Sequence, residues 1–331
     1  MAKVVQFHEL GEPEVLKIEE WEAPALQPGE VLMDVAAFAL NRADVLFFQG
    51  LHYSLPTLPS RLGSEASGTI LAVGEGVKRF AVGDKVSTIP FANARYGVHG
   101  EQAVMHQDFL APWPDELSAV EATSIWMQYL TAYYPVVSIG KSGAGDFVLI
   151  TAASSSAGLG AIEIARASGA CVIATTRSGS KSDAIMEAGA HHVIATEKED
   201  VAARILEISE GKGVRVIYDP VGGSLYDRYL DALAEDAIVF LYGLLDGEPA
   251  KVDVVKMVRK NAIIYPYSMF NEVRHRDRLE KAMSYILERL KDGRFKPRVN
   301  DRVFTMENAI DAYRYMLSGE QIGKIVVQVG E

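Results

Sequence analysis

The period of apolar and polar positions changes partway along the chain. In the first 122 residues, apolar residues fall in short alternating runs: Lys3 to Phe7, Val15 to Glu19, Val31 to Val35, Gly68 to Val73 and Lys85 to Ile89. Turn residues such as Pro28-Gly29, Gly74-Glu-Gly76 and Gly83-Asp84 separate them. Alternation sends successive side chains to opposite faces of a strand, and short strands at this spacing predict a compact β-barrel or sandwich. From Phe147 the pattern differs. A continuous apolar run, Phe147 to Ile150, meets a turn of small residues and then an amphipathic stretch, Gly158 to Ala167. Further strand-like runs follow at Ala170–Thr176, His192–Ala195, Val214–Asp219, Ala237–Gly243 and Ala262–Tyr267. Helix-like segments alternate with them at Ser182–Ala188, Val201–Ser209, Ser224–Leu233 and Val252–Lys260. Strands alternating with helices of this length predict βαβ units and a doubly wound parallel sheet of six strands.

A charged helix is expected from Glu272 to Lys291, followed by a break at Gly293-Arg-Phe-Lys-Pro297. One more helix, Met306 to Leu317, and a strand, Gly323 to Val329, complete the pattern. At 331 residues the chain exceeds one ordinary core. The fold class is therefore α/β with two domains, residues 1–122 with 294–331 and residues 123–293. The tail is too short to stand alone. It is expected to return to the first domain, with the cleft between the domains as the site.

Composition narrows the function. Hydrophobic residues make up 49% and charged residues 23%, the balance of a globular protein. A net charge of −11 argues against nucleic acid or an anionic membrane as partner. No apolar run approaches the roughly 18 residues that span a bilayer. The start, Met1-Ala-Lys-Val-Val-Gln, lacks a signal peptide's apolar region, so a cytoplasmic enzyme is expected. The single cysteine, Cys171, excludes an intrachain disulfide and a multi-cysteine zinc site. The seven histidines show no metal-binding spacing.

The turn after Ile150 carries the first chemistry. Small residues let a backbone approach a pyrophosphate, and the helix N-terminus behind them offers unpaired N–H groups and a positive dipole end. Ser155, Ser156 and Gly158 are the candidates there, although only the third glycine of a G-x-G-x-x-G pattern survives. A fold that prefers NAD carries an acid just after the next strand, for the ribose 2′-hydroxyl. This chain has Thr176, Arg177, Ser178 and Lys181 instead, which suit a 2′-phosphate and point to NADP(H). Asp219 and Gly243, ending the fourth and fifth sheet strands, lie at the carboxyl edge where a dinucleotide passes. The same residues also suit a tight turn and an exposed loop, so the pattern alone leaves both readings open.

The order of a β-rich domain, a dinucleotide fold and a returning tail resembles the medium-chain dehydrogenase/reductase superfamily. The markers run through the whole chain: Ala39-Leu-Asn-Arg-Ala-Asp44, Arg61-Leu-Gly-Ser-Glu-Ala-Ser-Gly68, Val73-Gly-Glu-Gly-Val77 and Gly83-Asp-Lys-Val86. Later come Leu130-Thr-Ala-Tyr133, Ala152-Ala-Ser-Ser-Ser-Ala-Gly158, Tyr218-Asp-Pro-Val-Gly-Gly223 and Gln321-Ile-Gly-Lys-Ile-Val326. The resemblance implies a GroES-like β-barrel domain beside a six-stranded Rossmann domain. It also implies that catalytic zinc is missing. Asn41 stands at the first ligand position, Gly63-Ser64-Glu65 replaces the family's Gly-His-Glu, and Trp126-Met-Gln128 brings no cysteine. The chain is thus similar to the zinc-independent quinone oxidoreductases and enoyl reductases.

By that resemblance Thr131 lies close to the nicotinamide, and Asn41 faces the substrate carbonyl or the cofactor ribose. Tyr53 and His52 compete for the place of a proton-donating tyrosine, because the loop Gly50-Leu-His-Tyr-Ser54 slips against its relatives. The implied reaction is hydride transfer from NADPH to a quinone or an α,β-unsaturated carbonyl, without metal. Alternatives are a non-catalytic NADPH-binding sensor or structural protein and an alcohol dehydrogenase-type carbonyl reductase. The resemblance further implies a homodimer, through sheet edges near Ala237 to Tyr267. Substrate choice is expected to rest on loops such as His52–Ser60 and Phe91–Gly100. Two rivals fail on motifs: no tyrosine has a lysine four residues on, and Ser154–Ser156 sit between alanines rather than in a Gly-x-Ser-x-Gly elbow.

Overall fold

The run Phe147–Ile150 needs cover on both faces, because Val148, Leu149 and Ile150 offer no polar side. It obtains that cover as an inner strand of a six-stranded sheet in the computed structural model, which describes residues 1–91 and 95–330. Its neighbours run in the order His192–Ala195, Cys171–Thr176, Phe147–Ile150, Val214–Asp219, Leu233–Leu241 and Ile263–Pro266. Every pairing is parallel. The strand order reverses between Phe147–Ile150 and Val214–Asp219, the switch point beside which doubly wound sheets bind ligands at their carboxyl ends.

Contacts divide the chain into two compact units, residues 1–127 with 297–331 and residues 128–296; the sequence placed these divisions after residues 122 and 293. In the second unit the Tyr129 and Phe295 rings stack with centroids 4.9 Å apart and planes 10° apart. Glu163 receives the Tyr129 hydroxyl at 2.6 Å and the Lys296 N–H at 3.3 Å. The two ends of the unit are therefore clasped together on one carboxylate.

Two sequence expectations need correcting in detail. The helix expected over Glu272–Lys291 is two helices, Met269–Val273 and Arg276–Lys291, broken where His275 turns extended at φ −92° and ψ 106°. The helix expected over Ser224–Leu233 ends at Tyr229, and the strand expected from Ala237 already begins at Leu233. Buried Leu233 pairs with Val214, while the polar pair Glu235-Asp236, with Asp236 at φ +55°, shifts the register and hides the alternation.

Among the described residues the first unit holds seven strands in one sheet and three in another, Leu16–Trp21, Ala2–Phe7 and Ser60–Arg61. Its central strand, Glu30–Ala39, is longer than Val31 to Val35 suggested. Its second half, Ala37, Phe38 and Ala39, is buried on both faces and so lacks alternation. Val326–Gln328 pairs antiparallel with Ala37–Ala39, which brings the returning tail onto this strand. Among the described residues no helix is long and apolar enough to cross a membrane. In the loop Phe91–Gly100, residues 92–94 lie outside the described residues.

Candidate functional site

In the second unit the turn after Ile150 is shaped by sterics. Ala152 adopts φ +46°, a left-handed conformation that costs an alanine about 1–2 kcal/mol. The Ser155 hydroxyl accepts the Gly158 N–H at 3.1 Å and caps the helix Ser156–Ala167. A Cβ on Gly158 would lie 2.7 Å from Ala153 Cα and 2.8 Å from Ala152 O, so the one retained glycine lets the helix pack on its own turn. Ser154, Ser155, Ser156 and Ala157 stay partly exposed at a long helix's N-terminus, a place suited to a pyrophosphate.

Thr176 ends its strand, and Arg177 follows it fully on the surface with no ion pair among the described residues. The Ser178 hydroxyl donates to Ser180 Oγ at 3.1 Å, and Lys181 is half-buried at the head of the helix Ser182–Glu187. The segment 176–181 that carries these four residues contains no acidic residue, a composition that suits a 2′-phosphate.

Asp219, expected from sequence to contact the cofactor, is held by the protein's own donors. It is wholly buried, and its Oδ1 accepts the Thr151 hydroxyl at 2.5 Å, Val221 N–H at 2.8 Å and Gly222 N–H at 3.2 Å. Its Oδ2 accepts the Tyr229 hydroxyl at 2.7 Å, and burial beside this carboxylate raises the Tyr229 phenol far above its ordinary range. The side chain ties the turn after Ile150 to its own turn. Gly243 is also a packing residue, since a Cβ there would lie 2.6 Å from Pro220 O. It allows the loops after the fourth and fifth sheet strands to touch.

Thr131 lies buried on the helix Trp126–Tyr133, its hydroxyl 3.6 Å from the Met269 sulfur. One turn earlier lies Gln128, for which no sequence pattern predicts a role. Gln128 is 1% exposed, and both of its amide atoms lack a partner among the described residues. A buried unpaired amide costs about 1–3 kcal/mol, and Gln128 lies beside Thr131 on one helix face.

The first unit builds a buried ionic group. Asn41 precedes the helix Arg42–Phe48, and its backbone N–H donates to Asp44 Oδ2 at 2.7 Å. Its side-chain Nδ2 donates to Glu65 Oε2 at 3.0 Å, and its Oδ1 accepts Lys324 Nζ at 2.7 Å. Lys324 also reaches Glu65 Oε2 at 2.5 Å, and Glu65 Oε1 accepts the Met127 N–H at 2.7 Å. Glu65 and Lys324 are each 1% exposed. Neither was assigned a role from sequence. The signal was a lysine inside the apolar run Gly323-Lys-Ile-Val-Val327, since a lysine is buried only with a partner.

His52 and Tyr53 stack at 4.2 Å on the loop after Phe48. His52 is partly buried, which lowers its pKa, and its Nδ1 lies 3.2 Å from the Ser54 N and 3.3 Å from the Ser54 O. Tyr53 is 64% exposed. A cavity of about 610 Å³ in this unit, lined by Trp21, Glu22, Asp34 and Glu101 among others, contains none of these candidates.

Residues 157–288 match the family model of zinc-binding dehydrogenases, and residues 27–131 match that of the alcohol dehydrogenase GroES-like domain. A quinone oxidoreductase of Pseudomonas aeruginosa is 33% identical over 263 residues, covering 80% of each chain. The structure of Escherichia coli quinone oxidoreductase complexed with NADPH aligns with a TM-score of 0.91 at 29% identity, over 99% of this chain and 100% of that one. The CurF ER cyclopropanase of curacin A biosynthesis aligns with a TM-score of 0.87 at 27% identity, over 99% of both chains.

Zinc, which one matched family is named for, does not fit this site. Asn41 and Ser64 are poor zinc donors, and the Lys324 ammonium already occupies the Asn41 oxygen, where it would repel a second cation. Among the described residues no three His, Cys, Asp or Glu side chains are placed to hold a metal ion. The NADP(H) site does fit. A capped helix N-terminus suits a pyrophosphate, a buried amide suits a carboxamide, and the loop 176–181, with two basic residues and no acid, suits a 2′-phosphate.

Proposed function

Because this chain belongs to the quinone oxidoreductase branch of the medium-chain dehydrogenase/reductase superfamily, it is an NADP(H)-dependent oxidoreductase, and we propose how its own residues serve that reaction. It reduces a quinone or an α,β-unsaturated carbonyl without a metal. NADPH, when bound, supplies the hydride. The observation that carries the residue assignment is the Lys324 ammonium 2.7 Å from Asn41 Oδ1. The residue at the first zinc-ligand position already has a cation of its own. Charge developing on the acceptor oxygen must then be met by hydrogen-bond donors.

In this reading the Ser155 hydroxyl, the Ser156 N–H and the helix end hold the pyrophosphate, while Thr176, Arg177, Ser178 and Lys181 hold the 2′-phosphate. Thr131 and Gln128 orient the nicotinamide carboxamide, and Gly243 leaves room for the ring. Asn41 Nδ2 donates to the acceptor oxygen. His52, through its imidazole, or Tyr53, through its hydroxyl, delivers the proton.

Two finer points belong to the same reading. The edge strand Ile263–Pro266 and the neighbouring helix Val254–Arg259 expose Ile263, Val254, Val255 and Val258, which supports a homodimer formed along that edge. A lone cysteine in 331 residues supports a reducing, cytoplasmic setting.

The test is loss of NADPH absorbance against a panel of quinones and enones in a chelating buffer, with NADH as control. Chelator-resistant turnover that prefers NADPH is expected. Loss of activity on chelation, or preference for NADH, would overturn the assignments of Asn41 and Arg177. Tight NADPH binding with no turnover on any acceptor would make the protein a non-catalytic NADPH binder.

A further inference from the structure

The Asn41 amide has only one orientation open to it. An ammonium can only donate and a carboxylate can only accept, so the atom facing Lys324 must be Oδ1 and the atom facing Glu65 must be Nδ2. One Nδ2 hydrogen is used on Glu65, and the second is left for another acceptor. The Lys324 ammonium donating to Oδ1 also draws electron density toward that oxygen, which strengthens the remaining N–H as a donor.

Lys324 is itself held rigidly. Its N–H donates to Arg298 O and its carbonyl accepts the Asn300 N–H, both at 2.8 Å. A Cβ on the preceding Gly323, at φ +80°, would lie 2.5 Å from Arg298 O, so only glycine permits this strand to come so close.

We propose that Lys324 is a positioning residue, which through Asn41 Oδ1 locks the amide so that it meets the acceptor as a hydrogen-bond donor. The inference rests on the reading above that Asn41 faces the acceptor oxygen, and it deepens that reading. It explains why a buried lysine, which touches neither substrate nor cofactor in this account, is built beside Asn41. It also sets the chemistry of the acceptor: an oxygen that gains negative charge during reduction is favoured, and a group that can only donate is disfavoured.

The test uses full-length protein carrying nitrogen-labelled asparagine, as wild type, Lys324→Met and the double variant Glu65→Gln/Lys324→Met. The double variant removes both buried charges, so that it folds where the single one leaves Glu65 unpaired. Asn41→Ala assigns the Asn41 side-chain amide resonance. The expected result is that this resonance moves in both lysine variants, NADPH affinity stays within about twofold, and kcat on the best acceptor falls about 10- to 100-fold.

An unmoved amide resonance would overturn the proposal whatever the activity. A moved resonance with unchanged kcat would overturn it too, since the donor would then have no role. Absence of turnover in the wild type would count against the functional reading instead, and the resonance would still decide whether Lys324 orients Asn41.

Discussion

The Thr151 hydroxyl lies 2.5 Å from Asp219 Oδ1, so two turns at the carboxyl edge of the sheet, 68 positions apart in sequence, share one buried carboxylate. Four donors converge on that group. Asp219→Asn points an amide N–H₂ at donors and removes the charge, and it should cost about 2–4 kcal/mol. Thr151→Val removes a single bond and should cost about 1–2 kcal/mol. Urea unfolding of both variants checks the ranking; an Asp219→Asn variant as stable as wild type would contradict the account.

Ala152 stores strain in the same turn at φ +46°. Ala152→Gly relieves it but loosens the unfolded chain, and the balance should favour the variant by about 0.5–1 kcal/mol. A higher melting temperature is expected. A lower one would mean that the alanine methyl makes a contact outweighing the strain.

Arg177 is exposed and makes no ion pair among the described residues, so its replacement should leave stability alone. By the proposed assignment, Arg177→Glu sets an acid against the 2′-phosphate of NADPH. The KM for NADPH should rise at least about tenfold while that for NADH stays level or falls. Steady-state kinetics with both cofactors decides this, and an unchanged ratio would place the 2′-phosphate elsewhere.

Two buried groups of the first unit titrate in opposition. Desolvation pushes the Asp44 carboxyl up from 3.8 to about 7, and burial pushes the His99 imidazole down from 6.5 to about 3. The stability that Asp44 contributes is full below its unfolded value and is lost as pH rises through about 7. That of His99, whose Nδ1 faces the Tyr313 hydroxyl at 2.8 Å, is present above 6.5 and lost as pH falls toward 3. In the acid range the two slopes oppose each other. Asp44→Asn should therefore lose stability more steeply than wild type between about pH 6.5 and about pH 4, and suffer less above about pH 7. Denaturation midpoints across that range test it; parallel curves for the two proteins would refute it.

Much of the fold could be read from periodicity, for a physical reason. A strand buried on both faces must be an apolar run, as at Phe147–Ile150, and a half-buried strand must alternate, as at Val31 to Val35. Periodicity failed where one residue served two demands, as at Leu233, and where both faces were buried within a β domain, as at Ala37–Ala39. The turn at Ser155 and the loop at Arg177 could be proposed from sequence because a phosphate cradle depends on neighbours along the chain. The Asn41–Glu65–Lys324 group was not, because its partners are brought together only by folding. The orphan amide of Gln128 was also invisible, since no sequence pattern records a missing partner.

The clasp of Tyr129 on Phe295 has a consequence for the order of folding. Lys324 finds Asn41 across 283 positions, a separation that would mark a slow, entropically distant contact. Once the two rings stack and Glu163 fastens both ends, residues 128–296 no longer count toward that distance. To the remainder of the chain the entire second unit behaves as a short closed loop. The contact order that matters for the first unit is then far lower than the sequence suggests, provided the nucleotide-binding unit closes first.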